Sequence, residues 1–205
     1  MSDSKKYTQD WFDRCIPVWK KYLSEFYGKP NLKFLEIGSY EGRSSCWLLD
    51  NVLTAEGSTI DCCDLFEGCG AQGVWSEELY SRYNMTAVLS NFLHNVKDYG
   101  GKVQLHVGIS QKLLRGMGDE AKFDFVYVDG SHIASDVLED IVLSFRLLKP
   151  GGIMVLDDYT WEFFGNPLRH PRLGIDAFMS VYEGQFEVLY KDQQVILRKS
   201  LVKEG

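Results

Sequence analysis

The sequence predicts an α/β fold: a doubly wound, mostly parallel seven-stranded sheet with helices on both faces, Rossmann-like, closed by an antiparallel hairpin at its C-terminal end. Three observations carry that expectation. Short runs rich in β-branched and aromatic residues are continuous rather than alternating, as strands buried on both faces of a parallel sheet read. Segments with helical spacing separate these runs, which calls for right-handed crossovers. The last two runs are separated only by Lys191, Asp192, Gln193 and Gln194, enough for a hairpin and too few for a parallel crossover.

In chain order, Trp11 to Tyr27 reads as an amphipathic helix ended by Gly28 and Pro30. Lys33 to Ile37 is the first strand, and Ser44 to Leu53 (SSCWLLDNVL) is the helix after it. Thr59 to Cys63 is the second strand; Met85 to Tyr99 is a helix that leads into a weaker strand at Val103 to Val107. Phe123 to Val128 is a strand, Ala134 to Leu148 the following helix, and Ile153 to Leu156 the next strand. A helix around Ile175 to Tyr182 precedes the hairpin strands Phe186 to Tyr190 and Val195 to Arg198. No repeat, linker-like composition or long charge run marks a boundary. A single domain is therefore expected over residues 1–205, with 1–30 as an N-terminal helical cap or lid on a core of 31–205.

Composition narrows the class. The 205 residues are 45% apolar and 25% charged, which is globular and excludes disordered or fibrous chains. Acidic residues exceed basic ones, 29 against 22, for a net charge of −7, so no overall positive field attracts a nucleic-acid backbone. No run approaches the roughly 18 apolar residues of a membrane span, and the opening MSDSKKYTQDWF lacks an apolar signal core. A soluble cytoplasmic protein is expected, without nucleic-acid or membrane partners. Cys15, Cys46, Cys62, Cys63 and Cys69 are odd in number and follow neither a CxxC pair nor a secreted-scaffold spacing, so they read as reduced, mostly buried thiols.

In an open parallel sheet the ligand crevice lies beyond the C-terminal strand ends, where the strand order reverses. After the first strand, Gly38 and Gly42 in the run Glu36 to Ser44 allow a tight turn and close ligand approach, while the next helix offers unpaired N–H groups. Tyr40 keeps this from being a GxGxxG pyrophosphate turn. Asp64, about 20 residues further on, stands where a carboxylate takes both hydroxyls of an adenosine ribose, with Asp61 competing from inside the apolar run. Gly108 and Ser110 follow the weaker strand, in position to border an adenine.

The strand ends Val128-Asp129-Gly130-Ser131-His132 and Leu156-Asp157-Asp158-Tyr159 carry the strongest signal. Asp129, Asp157 and Asp158 would repel one another and raise each other's pKa unless a cation or hydrogen-bond donors lay between them. Hard divalent cations use such oxygen sets. The plainer alternative is that each Asp caps the helix after it. His132, in the loop opening the next helix, is suited to accept a proton near neutral pH, against the alternative of a polar surface residue.

EIGSYEGRS (Glu36 to Ser44), DLFEG (Asp64 to Gly68), YVDGSH (Tyr127 to His132) and LKPGGIMVLDDY (Leu148 to Tyr159) together resemble the class I S-adenosylmethionine-dependent methyltransferases. Within that class they are similar to the methyltransferase 24 family and to the cation-dependent O-methyltransferases of the catechol and caffeoyl-CoA type. The resemblance implies methyl transfer from S-adenosylmethionine to a hydroxyl of a small molecule, assisted by a divalent cation such as Mg2+. It implies that Glu36, Gly38, Ser39, Tyr40, Gly42 and Ser44 hold the methionine part of the cofactor and that Asp64 holds the ribose. Asp129, Asp157 and Asp158 match the metal-binding set, although the third ligand is frequently Asn there. His132 stands where a basic residue, commonly Lys, takes the substrate proton, and His132 or Asp129 can remove it here.

Three segments outside the matching motifs are expected to form a substrate lid: Tyr7 to Phe12, Cys69 to Tyr83 with Trp75, Tyr80 and Tyr83, and Thr160 to Leu173 with Trp161, Phe163, Phe164, Arg169 and His170. Two other readings compete. A nicotinamide-dinucleotide oxidoreductase wants a similar turn and acid but is disfavoured by Tyr40 and the hairpin; a methyltransferase-like domain that binds without catalysis is the other. Methylation of nucleobase amines is disfavoured because VDGSH replaces the NPPY or DPPY type. The oligomeric state stays open, a homodimer included.

Overall fold

Strand residues alternate between two faces, and in this chain both faces are apolar, so the sheet is sandwiched. The computed structural model describes residues 4–66, 87–162, 166 and 170–201. Its sheet comprises β1 (Lys33–Ile37), β2 (Thr59–Asp64), β3 (Val103–Val107), β4 (Phe123–Val128), β5 (Leu148–Leu156), β6 (Phe186–Lys191) and β7 (Val195–Lys199) in the order β3-β2-β1-β4-β5-β7-β6. The pairs β1–β2, β2–β3, β1–β4 and β4–β5 are parallel; β7 runs antiparallel to both β5 and β6. The expected sheet and its closing hairpin are both present.

Phe34, Phe125, Tyr127, Ile153 and Val155 point to one face, against α2 (Arg43–Asn51), α3 (Val88–Val96) and the N-terminal segment. Leu35, Ile37, Val126, Val128, Met154 and Leu156 point to the other, in the cluster shared by α5 (Ala134–Leu147) and α6 (Pro171–Val181). A short α4 (Ser110–Gly116) follows β3 and adds Leu114 to this second face. Strand β5 starts earlier than Ile153: Leu148 already pairs with Phe123, and a register shift across Phe123/Phe125 takes up three extra residues of β5, in the stretch that holds Pro150 and two glycines.

The N-terminal helix departs from expectation. Trp11 to Tyr27 is not one helix but a 3-10 turn at Trp11–Cys15, α1 at Ile16–Tyr22 and a second 3-10 turn at Ser24–Phe26. Pro17 is the cause at the N-terminal side: lacking an N–H, it fits only the first turn of an α-helix, so α1 begins beside it. Trp19 holds this segment to the sheet. Fully buried, it meets Tyr127 edge-on with ring centroids 4.8 Å apart and donates from Nε1 to Gln194 Oε1 at 2.9 Å.

Cys15, Cys46, Cys62 and Cys63 are free and buried, in accord with the reduced reading, while Cys69 lies outside the described residues. So do the expected lid residues Trp75, Tyr80, Tyr83, Phe163, Phe164 and Arg169. Among the described residues, no helix is long and apolar enough to cross a membrane.

Candidate active site at the sheet's C-terminal edge

Backbone hydrogen bonds carry the sheet's ladder one residue past the strands. Gly38 N donates to Cys63 O at 2.8 Å, Asp129 N to Ile37 O at 2.8 Å, Asp157 N to Val128 O at 3.0 Å and Gly108 N to Asp64 O at 2.9 Å. Residues just beyond β1, β3, β4 and β5 are thus fixed by the sheet itself, which suits chemistry that needs sub-ångström placement. The order β3-β2-β1-β4 reverses between β1 and β4, so Gly38 and Asp129 flank the switch point. Their backbones nearly touch: a Cβ on Gly38 (φ +88°) would stand 1.9 Å from the Asp129 carbonyl oxygen.

Beyond Gly38 the chain turns sharply. Tyr40 takes a left-handed φ of 47°, and Gly42 at 76° leads into α2. Asp64 fixes this turn, accepting from Tyr40 N at Oδ2 (2.8 Å) and from Phe66 N at Oδ1 (2.6 Å). Burial pushes its carboxyl up, and those N–H groups draw it back. Asp61, the rival, is spent at mid-strand on His106 Nε2, 2.6 Å from its Oδ1. Of the two acids only Asp64 reaches the turn.

Glu36 and Ser44 face each other underneath. Fully buried Glu36 accepts from Ser44 Oγ at 2.5 Å and from Ser45 Oγ, tying the first turn of α2 to β1, and burial raises its carboxyl. Ser39 differs: its hydroxyl is buried in the turn and, among the described residues, has no hydrogen-bond partner.

After β3, Ser110 Oγ donates to Asp140 Oδ2 of α5 at 3.0 Å. The other oxygen, Asp140 Oδ1, is buried without a partner among the described residues, and burial, aided by Asp136 and Glu139, pushes the carboxyl up to about 7. A carboxyl raised on folding keeps its proton longer in the folded state, so stability falls as pH climbs from the ordinary carboxylate range through 7. Asp140→Asn is expected to be more stable than the native protein at pH 8, by up to roughly 4 kcal/mol, and no more stable near pH 4. Urea denaturation at the two pH values checks this; an equal difference at both would refute it.

At the tips of β4 and β5, Asp129, His132 and Asp158 each offer a ligand atom, all within 4.8 Å of one another. His132 Nε2 lies 2.7 Å from Asp158 Oδ2. Asp158 has a left-handed φ of 57°, a conformation Asp tolerates better than most side chains. Asp157, expected beside them, is committed elsewhere: Oδ1 accepts from Asp158 N at 2.7 Å, and Oδ2 accepts from Tyr127 Oη and from Gln194 Nε2 at 2.9 Å. Tyr127 Oη also lies 2.8 Å from Asp129 Oδ2. One phenolic proton thus serves two carboxylates, buried Asp157 and half-buried Asp129. Burial, then repulsion from Asp157 and Asp158, holds Asp129 well above the usual carboxylate range; burial and Asp158 raise Asp157.

A cavity of about 240 Å³ opens beside Asp158, lined also by Arg14, Thr160, Trp161, Glu162 and Gln193. Trp161 packs on His132 with centroids 4.9 Å apart. Of the expected lid, then, Thr160 and Trp161 border the cavity. In the N-terminal segment, Trp11 instead packs on Tyr40 at 5.5 Å, and Thr8 N donates to Glu41 Oε2 at 2.6 Å. Sequence reasoning missed Tyr127, Gln194 and Arg14. Tyr127 carried a signal, since its spacing of two from Asp129 along a strand puts both on one face; the other two carried none.

Residues 35–159 match a family model described as a methyltransferase domain. The sequence matches none of the curated proteins compared with it. Among solved structures, an O-methyltransferase from Bacillus cereus in complex with SAH is similar at 15% identity and a TM-score of 0.63, over 97% of this chain and 84% of that one. The O-methyltransferase TomG from Streptomyces achromogenes, in complex with SAM, is similar at 17% identity and a TM-score of 0.60, over 92% and 80%. MycE of the mycinamycin biosynthetic pathway, in complex with Mg, SAH and mycinamycin VI, gives 16% and 0.58; this chain spans 96% of itself but only 51% of MycE. At such identities these structures speak for the shared fold.

Proposed function

The chain belongs to the methyltransferase 24 family and is an S-adenosylmethionine-dependent methyltransferase, and from that premise we propose that it methylates a hydroxyl of a small molecule with the aid of a divalent cation. One juxtaposition carries the reading: a basic imidazole and two carboxylates, Asp129 and Asp158, gathered beside the Gly38 turn at the switch point of the sheet.

The residues fit both groups. The turn offers the cofactor a buried Ser39 hydroxyl without a partner among the described residues, two left-handed positions at Tyr40 and Gly42, and Asp64 at its edge. Asp129 and Asp158 supply the oxygens a hard cation such as Mg2+ prefers, with Asp157 behind them. When bound, the cofactor supplies a methyl group on a sulfonium and the cation lowers the pKa of the acceptor hydroxyl. His132 takes the hydroxyl proton. An Nε2–H donated to Asp158 orients the ring and leaves the lone pair on Nδ1. Tyr127, Asp157, Gln194 and Trp19 form a hydrogen-bonded chain behind Asp129 that keeps its carboxylate in place.

A chain with net charge −7 has no overall positive field for a nucleic-acid backbone, which favours a small-molecule acceptor. Calorimetry with S-adenosylmethionine, followed by labelled-methyl transfer onto phenols, catechols and sugars with and without EDTA, tests the reading. Binding is expected, with turnover lost in EDTA and restored by Mg2+ or Mn2+. Full turnover in EDTA would remove the cation and leave His132 as sole base; binding without turnover on any acceptor would favour a non-catalytic domain.

A further inference from the structure

The cavity beside Asp158 contains a cation, Arg14, that the fold holds by a loose ion pair. Several arginines close hydrogen bonds on carboxylates: Arg43 grips Asp13 with two nitrogens, Arg198 grips Glu25 likewise, and Arg115 bonds Glu139. Arg14 does not. Its Nη2 stands 3.8 Å from Asp158 Oδ1, an ion pair beyond hydrogen-bond distance, while Asp158 Oδ2 lies 2.7 Å from His132. Among the described residues lining the cavity, Arg14 is the one cation.

Its backbone is nonetheless held firmly. Phe12 and Cys15 on either side are buried, Asp13 is gripped by Arg43 at the start of α2, Trp11 packs on Tyr40, and Thr8 bonds Glu41 through both its N–H and its hydroxyl. The N-terminal segment is thus fastened at several points to the turn between β1 and α2. A rigid backbone carrying a long side chain with a half-exposed guanidinium at a cavity rim is how a protein presents a fork for an incoming anion. Of the cavity's two carboxylates, exposed Glu162 opposes this only through screened charge, and Asp158, which faces both Arg14 and His132, is one that the proposed cation would offset.

We infer that Arg14 is the specificity residue of the acceptor cavity and receives a carboxylate on the acceptor, the ring or chain of which lies along Trp161. The inference rests on the methyl-transfer reading for what the bound molecule undergoes, and on the cavity alone for what is bound. The acceptor class is therefore a hydroxy acid whose methylated hydroxyl reaches His132 while its carboxylate reaches Arg14.

The test compares 3,4-dihydroxybenzoate with 3,4-dihydroxybenzamide, which keeps the ring and hydroxyls and loses the charge. Binding is measured by calorimetry with S-adenosylhomocysteine and Mg2+ present, and transfer with labelled S-adenosylmethionine. The wild type is expected to bind the acid about ten- to a hundredfold more tightly, the value of a charge-assisted hydrogen-bonded pair. Arg14→Met should bring the two within about twofold of each other, Arg14→Lys should keep part of the difference, and cofactor affinity should stay unchanged in both variants, which also shows that they fold. Equal binding of the two compounds by the wild type, binding of neither, or a preference that survives Arg14→Met overturns the assignment. An Arg14-dependent preference without transfer would leave the assignment standing and overturn hydroxyl methylation; transfer to both compounds alike would do the reverse.

Discussion

Replacing His132 with alanine is expected to lower kcat by about 10²- to 10⁴-fold, the usual contribution of a positioned general base. The imidazole lies 2.7 Å from Asp158 and packs on Trp161, so its loss removes both the proposed proton acceptor and the ring against which Trp161 rests at the cavity. Cofactor affinity should hardly change, since the Gly38 turn and Asp64 lie on β1 and β2. The discriminating measurement varies the acidity of the acceptor. A nitrocatechol, already ionised near neutral pH, needs no base, so the loss in His132→Ala should shrink towards nothing as acceptor pKa falls. Added imidazole should restore part of the rate for ordinary acceptors. An equal loss for acidic and weakly acidic acceptors would assign His132 to binding or metal ligation instead of proton removal.

Gly38→Ala should be the most damaging single change to the fold around the site. The added Cβ would sit 1.9 Å from the Asp129 carbonyl oxygen and 2.7 Å from Gly130 Cα, both backbone atoms, and the position already has a left-handed φ of +88°. Strand β1 cannot recede without breaking its ladder to β4, so a loss of roughly 3 kcal/mol or more is expected from clash and backbone strain together. Gly28→Ala is the control: it has the same sign of φ, +69°, but nothing within 4 Å, and should cost only about 1 kcal/mol. Urea denaturation of both variants separates the two contributions. Comparable losses would mean that left-handed strain, not the approach of β4, makes glycine necessary at position 38.

Much of this was legible along the chain. Continuous apolar runs found β1, β2, β4 and the second half of β5, and the four-residue gap before Val195 announced the antiparallel hairpin, because a parallel crossover has a minimum length. The strand ends then pointed to Asp64, Asp129, Asp157 and Asp158, since in such sheets the chemistry lies just beyond those ends, but Asp157 turns inward to Tyr127 and Gln194. Asp64 was favoured over Asp61 for its position after the apolar run; in the structure Asp61 pairs with His106 and Asp64 with the turn after β1. Other features were read less well. Pro17 interrupts the N-terminal helix although the apolar spacing runs through it, and the short α4 after β3 was not anticipated. Glu36 and Ser44, adjacent to the cofactor turn in sequence, bond each other beneath it.

Burial periodicity is a property of each segment by itself, and that is why the amino-acid sequence alone determined the class of sheet, its closing hairpin and the strand tips that carry the acids. Which side chains meet at those tips is a property of pairs. Gln194 reaches Asp157 across 37 positions and Trp19 across 175, and no local pattern encodes either distance. Only the packed structure turned Asp157 inward to Tyr127, brought His132 to Asp158, and set Arg14 from the N-terminal segment on the rim of the cavity. Such meetings follow from how two apolar faces of one sheet are covered, a condition that all the elements satisfy together and none contains alone.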